Sequence, residues 1–179
     1  MTPQEQITAY FKDIATRHPS IRHTEAKPRF FELEWEEMMQ TASPLAATSW
    51  VLVLEEYTEN LRDNDGDYLS LLPTMAVMVG IHVPQGRKSA KDAAFRDSRT
   101  ICWDIVDKMK ADELAACDAD VPAGVRPPRL MDLSSVKLQP IKLPYFDHTF
   151  GTRLTFRWRV DKDLDLPLDG TRVAWLPLA

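Results

Sequence analysis

Two cysteines, six glycines and four histidines are all that 179 residues offer of the types that most often build compact chemical sites. Each scarcity excludes something. Cys102 and Cys117 lie fifteen positions apart, about 22 Å along a helix, which is far beyond the Cα separation of a disulfide. Both read as free thiols of a reducing compartment, and they bring too few neighbouring ligands for zinc. Six glycines leave few places where backbone could wrap a nucleotide, and neither GxSxG nor a phosphate-binding glycine loop is present. The longest apolar run, around Met75–Val83, falls short of the eighteen or so residues a membrane span requires. Met1–Gln6 is polar and has no basic segment followed by an apolar one, so no signal peptide is expected. A soluble protein made in the cytoplasm is the expectation. There is no basic excess either. The formal net charge is −5, which argues against a phosphate backbone as the main partner.

What is present is ordinary for a globular chain, 44% apolar and 27% charged. A chain of this length buries about 70% of the surface it exposes when unfolded, so it needs no disulfide or metal to fold. The expected organisation is one domain over residues 1–179, with 161–179 as a C-terminal tail containing Pro167, Asp169-Gly170 and Pro177.

The pattern of elements is more informative than the composition. Thr2-Pro3-Gln4-Glu5 is a helix start, with a capping threonine, a proline suited to the first helical position and a glutamate able to close the box. Ile7, Tyr10, Phe11 and Ile14 then share one face, and Pro19 stops the helix near Arg17 or His18. Phe30–Trp35 alternates as a strand. Ser49–Tyr57, with its run Trp50 to Leu54, predicts a strand buried on both faces. A long acidic excursion ending in Asn64-Asp65-Gly66-Asp67 leads back to apolar sequence, and Pro73 marks a strand start or bulge. Ser89–Leu114 reads as a long amphipathic helix, with Ala94, Ile101, Ile105 and Met109 on one face and Cys102 and Val106 at its edge. Asp118–Arg129 is a loop rich in proline. Strand-like segments follow at Leu138–Pro144 and Arg153–Val160. The second alternates Leu154, Phe156, Trp158 and Val160 with Arg153, Thr155, Arg157 and Arg159. The fold class that results is α+β: one mainly antiparallel sheet, an N-terminal helix, and the long helix packed on a face. Ile101, Ile105 and Met109 are expected against Leu154, Phe156 or Trp158, or against the central strand.

Chemical motifs are sparse. Counted as a calcium loop from Asp63, the sixth position is Tyr68 and the twelfth Thr74, where glycine and glutamate are needed. His18, His23, His82 and His148 show no metal-ligand spacing. Asp147 and His148 could form a dyad, but neighbours on a strand point to opposite faces. The paired acids Glu36-Glu37 and Glu55-Glu56 read as solvated edges. No catalytic, cofactor-binding or metal residue is assigned. Arg153, Arg157 and Arg159 form a basic stripe suited to an interface or an anionic ligand, unless acids of the same sheet take it up. Reversing two of them is expected to leave the monomer folded.

The order of these elements resembles that of phage tail-terminator and tail-completion proteins. The likeness runs over residues 1–160: a helix like Thr2–Arg17, a strand pair with a variable excursion over Phe30–Val83, a strand Met75–Val83 leading into the long helix, and a closing hairpin, Val136–Pro144 joined to Thr152–Val160. The Leu61–Leu72 segment and the Asp161–Ala179 tail depart from that plan. The resemblance implies a non-enzymatic structural protein, assembled in the host cytoplasm and then part of the virion. Such a protein forms a ring, commonly a hexamer, that caps the tail tube and joins it to the head. Its partners would be copies of itself and tail-tube or neck proteins. DNA would pass without specific binding, and an acidic chain would not trap it. The alternatives are a small-molecule-binding protein or enzyme with His82 or Asp147-His148 in a pocket, and an adaptor that pairs through an exposed sheet edge.

Overall fold

The computed structural model describes residues 3–33, 49–55, 61–63, 69–71, 74–84, 87–118, 132–143, 149–157 and 160–161. In chain order the elements are α1 (Pro3–Arg17), β1 (Phe30–Leu33), β2 (Val51–Glu55), β3 (Leu61–Asp63), β4 (Leu69–Leu71), β5 (Thr74–His82), α2 (Lys88–Asp118), β6 (Asp132–Leu143), β7 (Thr149–Arg157) and β8 (Val160–Asp161). Five strands make the main sheet in the order β1-β2-β5-β7-β6. Every pairing is antiparallel except β1 with β2. The fold is α+β. A three-stranded sheet, β3-β4-β8, takes up part of the expected acidic excursion and the first residue of the expected tail. The turn residues 64–68 and the tail from 162 onward lie outside the described residues.

Both helices cover one face of the main sheet. Ile7, Phe11, Ile14 and Ala15 of α1 and Ile101, Cys102, Ile105, Val106 and Met109 of α2 join Phe30, Leu52, Leu54, Met75, Val77, Val79, Leu154 and Phe156 in one core. These strand residues alternate along their chains, as period two requires of a single face. The phenyl rings of Phe11 and Phe156 meet with centroids 5.9 Å apart. The opposite face is apolar as well: Val51, Val53 and Met78 are buried, with Phe31 and Ile141 packed against them. Burial on both sides explains the unbroken apolar run in β2.

The helices run antiparallel, because Tyr10 of α1 meets Asp112 while His18, just past the end of α1, meets Asp104, two turns back along α2. Helix α2 begins at Lys88, one residue before the expected start, and passes Leu114 to reach Asp118. Cys117 therefore lies on the same helix as Cys102 and not beyond its end. Burial pushes the Cys102 thiol up to about 12, so it is protonated at neutral pH.

Ile105 is fully buried, and its truncation to alanine leaves a cavity between α2 and the sheet. We expect Ile105→Ala to cost about 2–5 kcal/mol, measured by urea denaturation. A loss under about 1 kcal/mol would contradict this packing.

The sheet's two edges differ. β1 is short and parallel to its neighbour. β6 spans twelve residues, but its register slips between Asp132 and Lys137, and it carries exposed Lys137 and Pro140. A bulge, a lysine and a proline are the usual guards of an edge against adding another strand. That weighs against an adaptor that works by strand addition at β6.

Candidate functional site

Three buried or half-buried polar groupings lie among the described residues. The first joins α2 to β7. Ser98 donates to the Phe95 carbonyl at 3.1 Å, and its oxygen lies 2.8 Å from the Thr152 hydroxyl. The Cys102 thiol donates to the Thr152 carbonyl at 3.8 Å. Ser98 and Cys102 are fully buried. The serine's one hydrogen is held by its own helix, and the thiol is held protonated. This grouping fixes the register of α2 on the sheet and presents no nucleophile to solvent.

The second grouping surrounds the end of α1. The Ser20 N–H donates to His18 Nδ1 at 3.2 Å, which leaves His18 Nε2–H to donate to Asp104 at 3.3 Å. Both ring nitrogens are thus engaged, Nδ1 in the turn after α1 and Nε2 in joining the end of α1 to α2. Five residues on, His23 Nδ1 accepts from the N–H groups of Arg29 and Phe30 at 3.0 and 3.1 Å. Nearby, Tyr10 donates to Asp112 at 2.8 Å, and Lys108 bonds the other carboxylate oxygen. Burial and the Asp112 charge push the Tyr10 phenol up. Burial alone would raise the Asp112 carboxyl, but the bonds from Lys108 and Tyr10 outweigh it and hold it below its ordinary value.

The third grouping is on the face away from the helices. Arg153 is in register with Met78, which is in register with Val53, and Glu55 lies two residues along β2 on that same face. Arg153 Nε donates to both Glu55 oxygens, at 2.8 and 3.0 Å, and Nη2 bonds the second of them. The Glu55 side chain is 10% exposed and that of Arg153 40%. The bonds from Glu55 raise the Arg153 pKa against the opposing effect of burial.

The expected basic stripe therefore divides. Arg153 is held by an acid of its own sheet. Arg157 is exposed at the end of β7, where its N–H donates to Ser135 Oγ at 2.8 Å. Arg159 lies outside the described residues, as do Glu36, Glu37, Asp147 and His148. His82 is half-buried at the end of β5, opposite Thr149. Glu55, expected at a solvated edge, is instead buried. Among the described residues no set of three His, Cys, Asp or Glu side chains is arranged to hold a metal ion. Among them, too, no helix is long and apolar enough to cross a membrane. Among the described residues, the exposed large apolar side chains are Trp103 and Leu114 on the outer side of α2, and Leu133 on β6.

No family model, curated protein or solved structure matches this chain.

Proposed function

We propose that this chain acts by assembly, as a ring-forming subunit of the kind that caps a phage or prophage tail tube and joins it to the head. The observation that carries the reading is the order of elements around the main sheet. An N-terminal helix and a long helix share one face, the long helix follows the central strand β5, and the β6-β7 hairpin closes the sheet beside that strand. It is the plan that the resemblance over residues 1–160 rests on.

The disposition of polar groups supports the same reading. His18, Ser98, Cys102 and Arg153 are all engaged with other parts of the fold, so chemistry-bearing side chains serve packing here. Ring closure needs two different patches per subunit. With the β6 edge guarded, the contacts fall to side-chain surfaces, among them exposed Arg157 and the outer side of α2 at Trp103. DNA would pass such a ring without specific contacts, in keeping with the net charge of −5.

The test is the mass of the purified full chain by light scattering over a range of concentrations, with negative-stain images of the largest species. The expected result is a closed, hexameric ring, formed alone or on adding a tail-tube protein. Arg157→Glu should weaken that assembly while leaving the unfolding midpoint in place. A monomer under every condition, combined with turnover of a small substrate that is lost on replacing His82, would overturn the proposal in favour of a histidine pocket.

A further inference from the structure

The segment between α1 and β1 turns on one imidazole. His23 is buried, and its own N–H donates to the Ala15 carbonyl of α1 at 3.0 Å. Its Nδ1 accepts from two backbone donors, Arg29 and Phe30, at the point where the chain enters β1. The Arg29 carbonyl in turn accepts from the Leu52 N–H at 2.8 Å, the bond that starts the β1-β2 pairing. The preceding residue, Arg22, has φ of 56°, a left-handed conformation that costs a residue with a Cβ about 1–2 kcal/mol. Its guanidinium steadies it by donating to the Pro19 carbonyl at 2.6 Å. The turn is thus held by named bonds, with His23 at their centre.

The bond pattern fixes the tautomer. An Nδ1 that accepts twice carries no hydrogen, so the proton sits on Nε2. Nε2 is buried and has no hydrogen-bond partner among the described residues. Protonation would place a hydrogen on Nδ1, facing two N–H donors. Both bonds would be lost, both donors would be left unpaired, and a charge would lie in a buried site. We propose that His23 is an acid-sensitive latch, whose protonation releases the 21–30 turn and with it strand β1 from the edge of the sheet.

The surrounding charges do not rescue the protonated form. Lys12 on α1 faces His23 and disfavours it, while Glu25 in the turn favours it but is bonded to Lys12 at 2.8 Å. The Arg29 guanidinium holds the Ile21 carbonyl. On β1, Glu32 accepts from Thr8, and at the end of α1 His18 is committed to Asp104. Burial, then Lys12, lowers the His23 pKa below the ordinary histidine value. The open turn binds the proton and the closed turn rejects it. Closure is therefore fully stable above the ordinary pKa near 6.5 and weakens as pH falls below it.

The test is residue-resolved amide exchange on the full chain at pH 7.5 and 5.0, each rate normalised to its intrinsic value. The Arg29 and Phe30 amides should open more than threefold more often at pH 5.0. The upper limit is about 30-fold, set by an ordinary pKa near 6.5. Amides at the centre of β5 and β7 should change less than twofold. In His23→Asn the side-chain oxygen can accept in place of Nδ1 but does not titrate, so the difference between the two pH values should vanish. The inference is overturned if wild-type Arg29 and Phe30 change by less than threefold. It is overturned equally if the Asn variant keeps the pH response, which would place the titrating group elsewhere. Should that variant fail to fold, the ring-nitrogen titration of wild-type His23 decides: a neutral Nε2–H ring at pH 6.5 supports the latch, and a half-protonated one ends it.

Discussion

Gly151→Ala is expected to cost about 3 kcal/mol or more. Gly151 of β7 lies directly opposite Gly80 of β5 at the centre of the sheet. A methyl group at Gly151 would sit 2.0 Å from the Val79 carbonyl oxygen and 2.7 Å from the Gly80 Cα. Those are backbone atoms, so no rotamer change relieves the contact and the two central strands must part. Gly80→Ala differs in kind. Its methyl group would meet the Thr149 Cγ2 at 2.9 Å, and Thr149 is a side chain that can turn. It should cost about 1 kcal/mol. Urea denaturation separates the two. With a slope of about 2 kcal/mol per molar, the Gly151 variant should lose about 1.5 M in midpoint, and the Gly80 variant about a third of that. Equal losses would mean that the β5-β7 register is not the one described.

Arg153→Glu should destabilise the monomer by about 2 kcal/mol, and Arg157→Glu by no more than about 0.5 kcal/mol. The two arginines share a face of one strand, and sequence alone treats them alike. In the structure Arg153 neutralises Glu55, whose side chain is 10% exposed. Reversal would set two carboxylates against each other on a largely dry surface. A fully buried pair would lose more, about 3–5 kcal/mol, but the Arg153 side chain is 40% exposed and solvent screens part of the effect. Arg157 is exposed, so its reversal should change assembly and not folding. Reversing two stripe residues is therefore expected to cost stability when Arg153 is one of the two. Comparable midpoints for the two variants would show that the Glu55 pair contributes nothing.

Helical and buried-strand patterns carried most of the fold. Ile7, Phe11 and Ile14, and Ile101, Ile105 and Met109, are spaced for one helix face, and that face is the one buried. The run Val51 to Leu54 announced a strand covered on both sides, and it is. Strand ends were less legible. β7 begins at Thr149, not Arg153, because Thr149, Gly151 and Thr152 interrupt the apolar alternation although the backbone continues its ladder. The parallel pairing of β1 with β2 leaves no local trace, since register across a crossover is set by distant packing. Nor do the polar groupings. Arg153 and Glu55 are 98 positions apart, and Tyr10 and Asp112 are 102 apart. Among histidines that show only the lack of metal-ligand spacing in sequence, His18 and His23 hold the turn after α1 by their ring nitrogens. A histidine just past a helix end, in a turn without glycine, was the signal available.

Those separations also govern how the molecule can form. The apolar side of α1 packs on β1 and β2 and also reaches the far end of the domain, where Phe11 meets Phe156. A helix of fifteen residues is marginal in water by itself. During synthesis its apolar side can be covered only in part, by β1 and β2, until β7 has emerged to bring Phe156 to Phe11. Long-range closure of this kind slows folding, and it leaves Phe11 without its Phe156 partner for most of the chain's elongation.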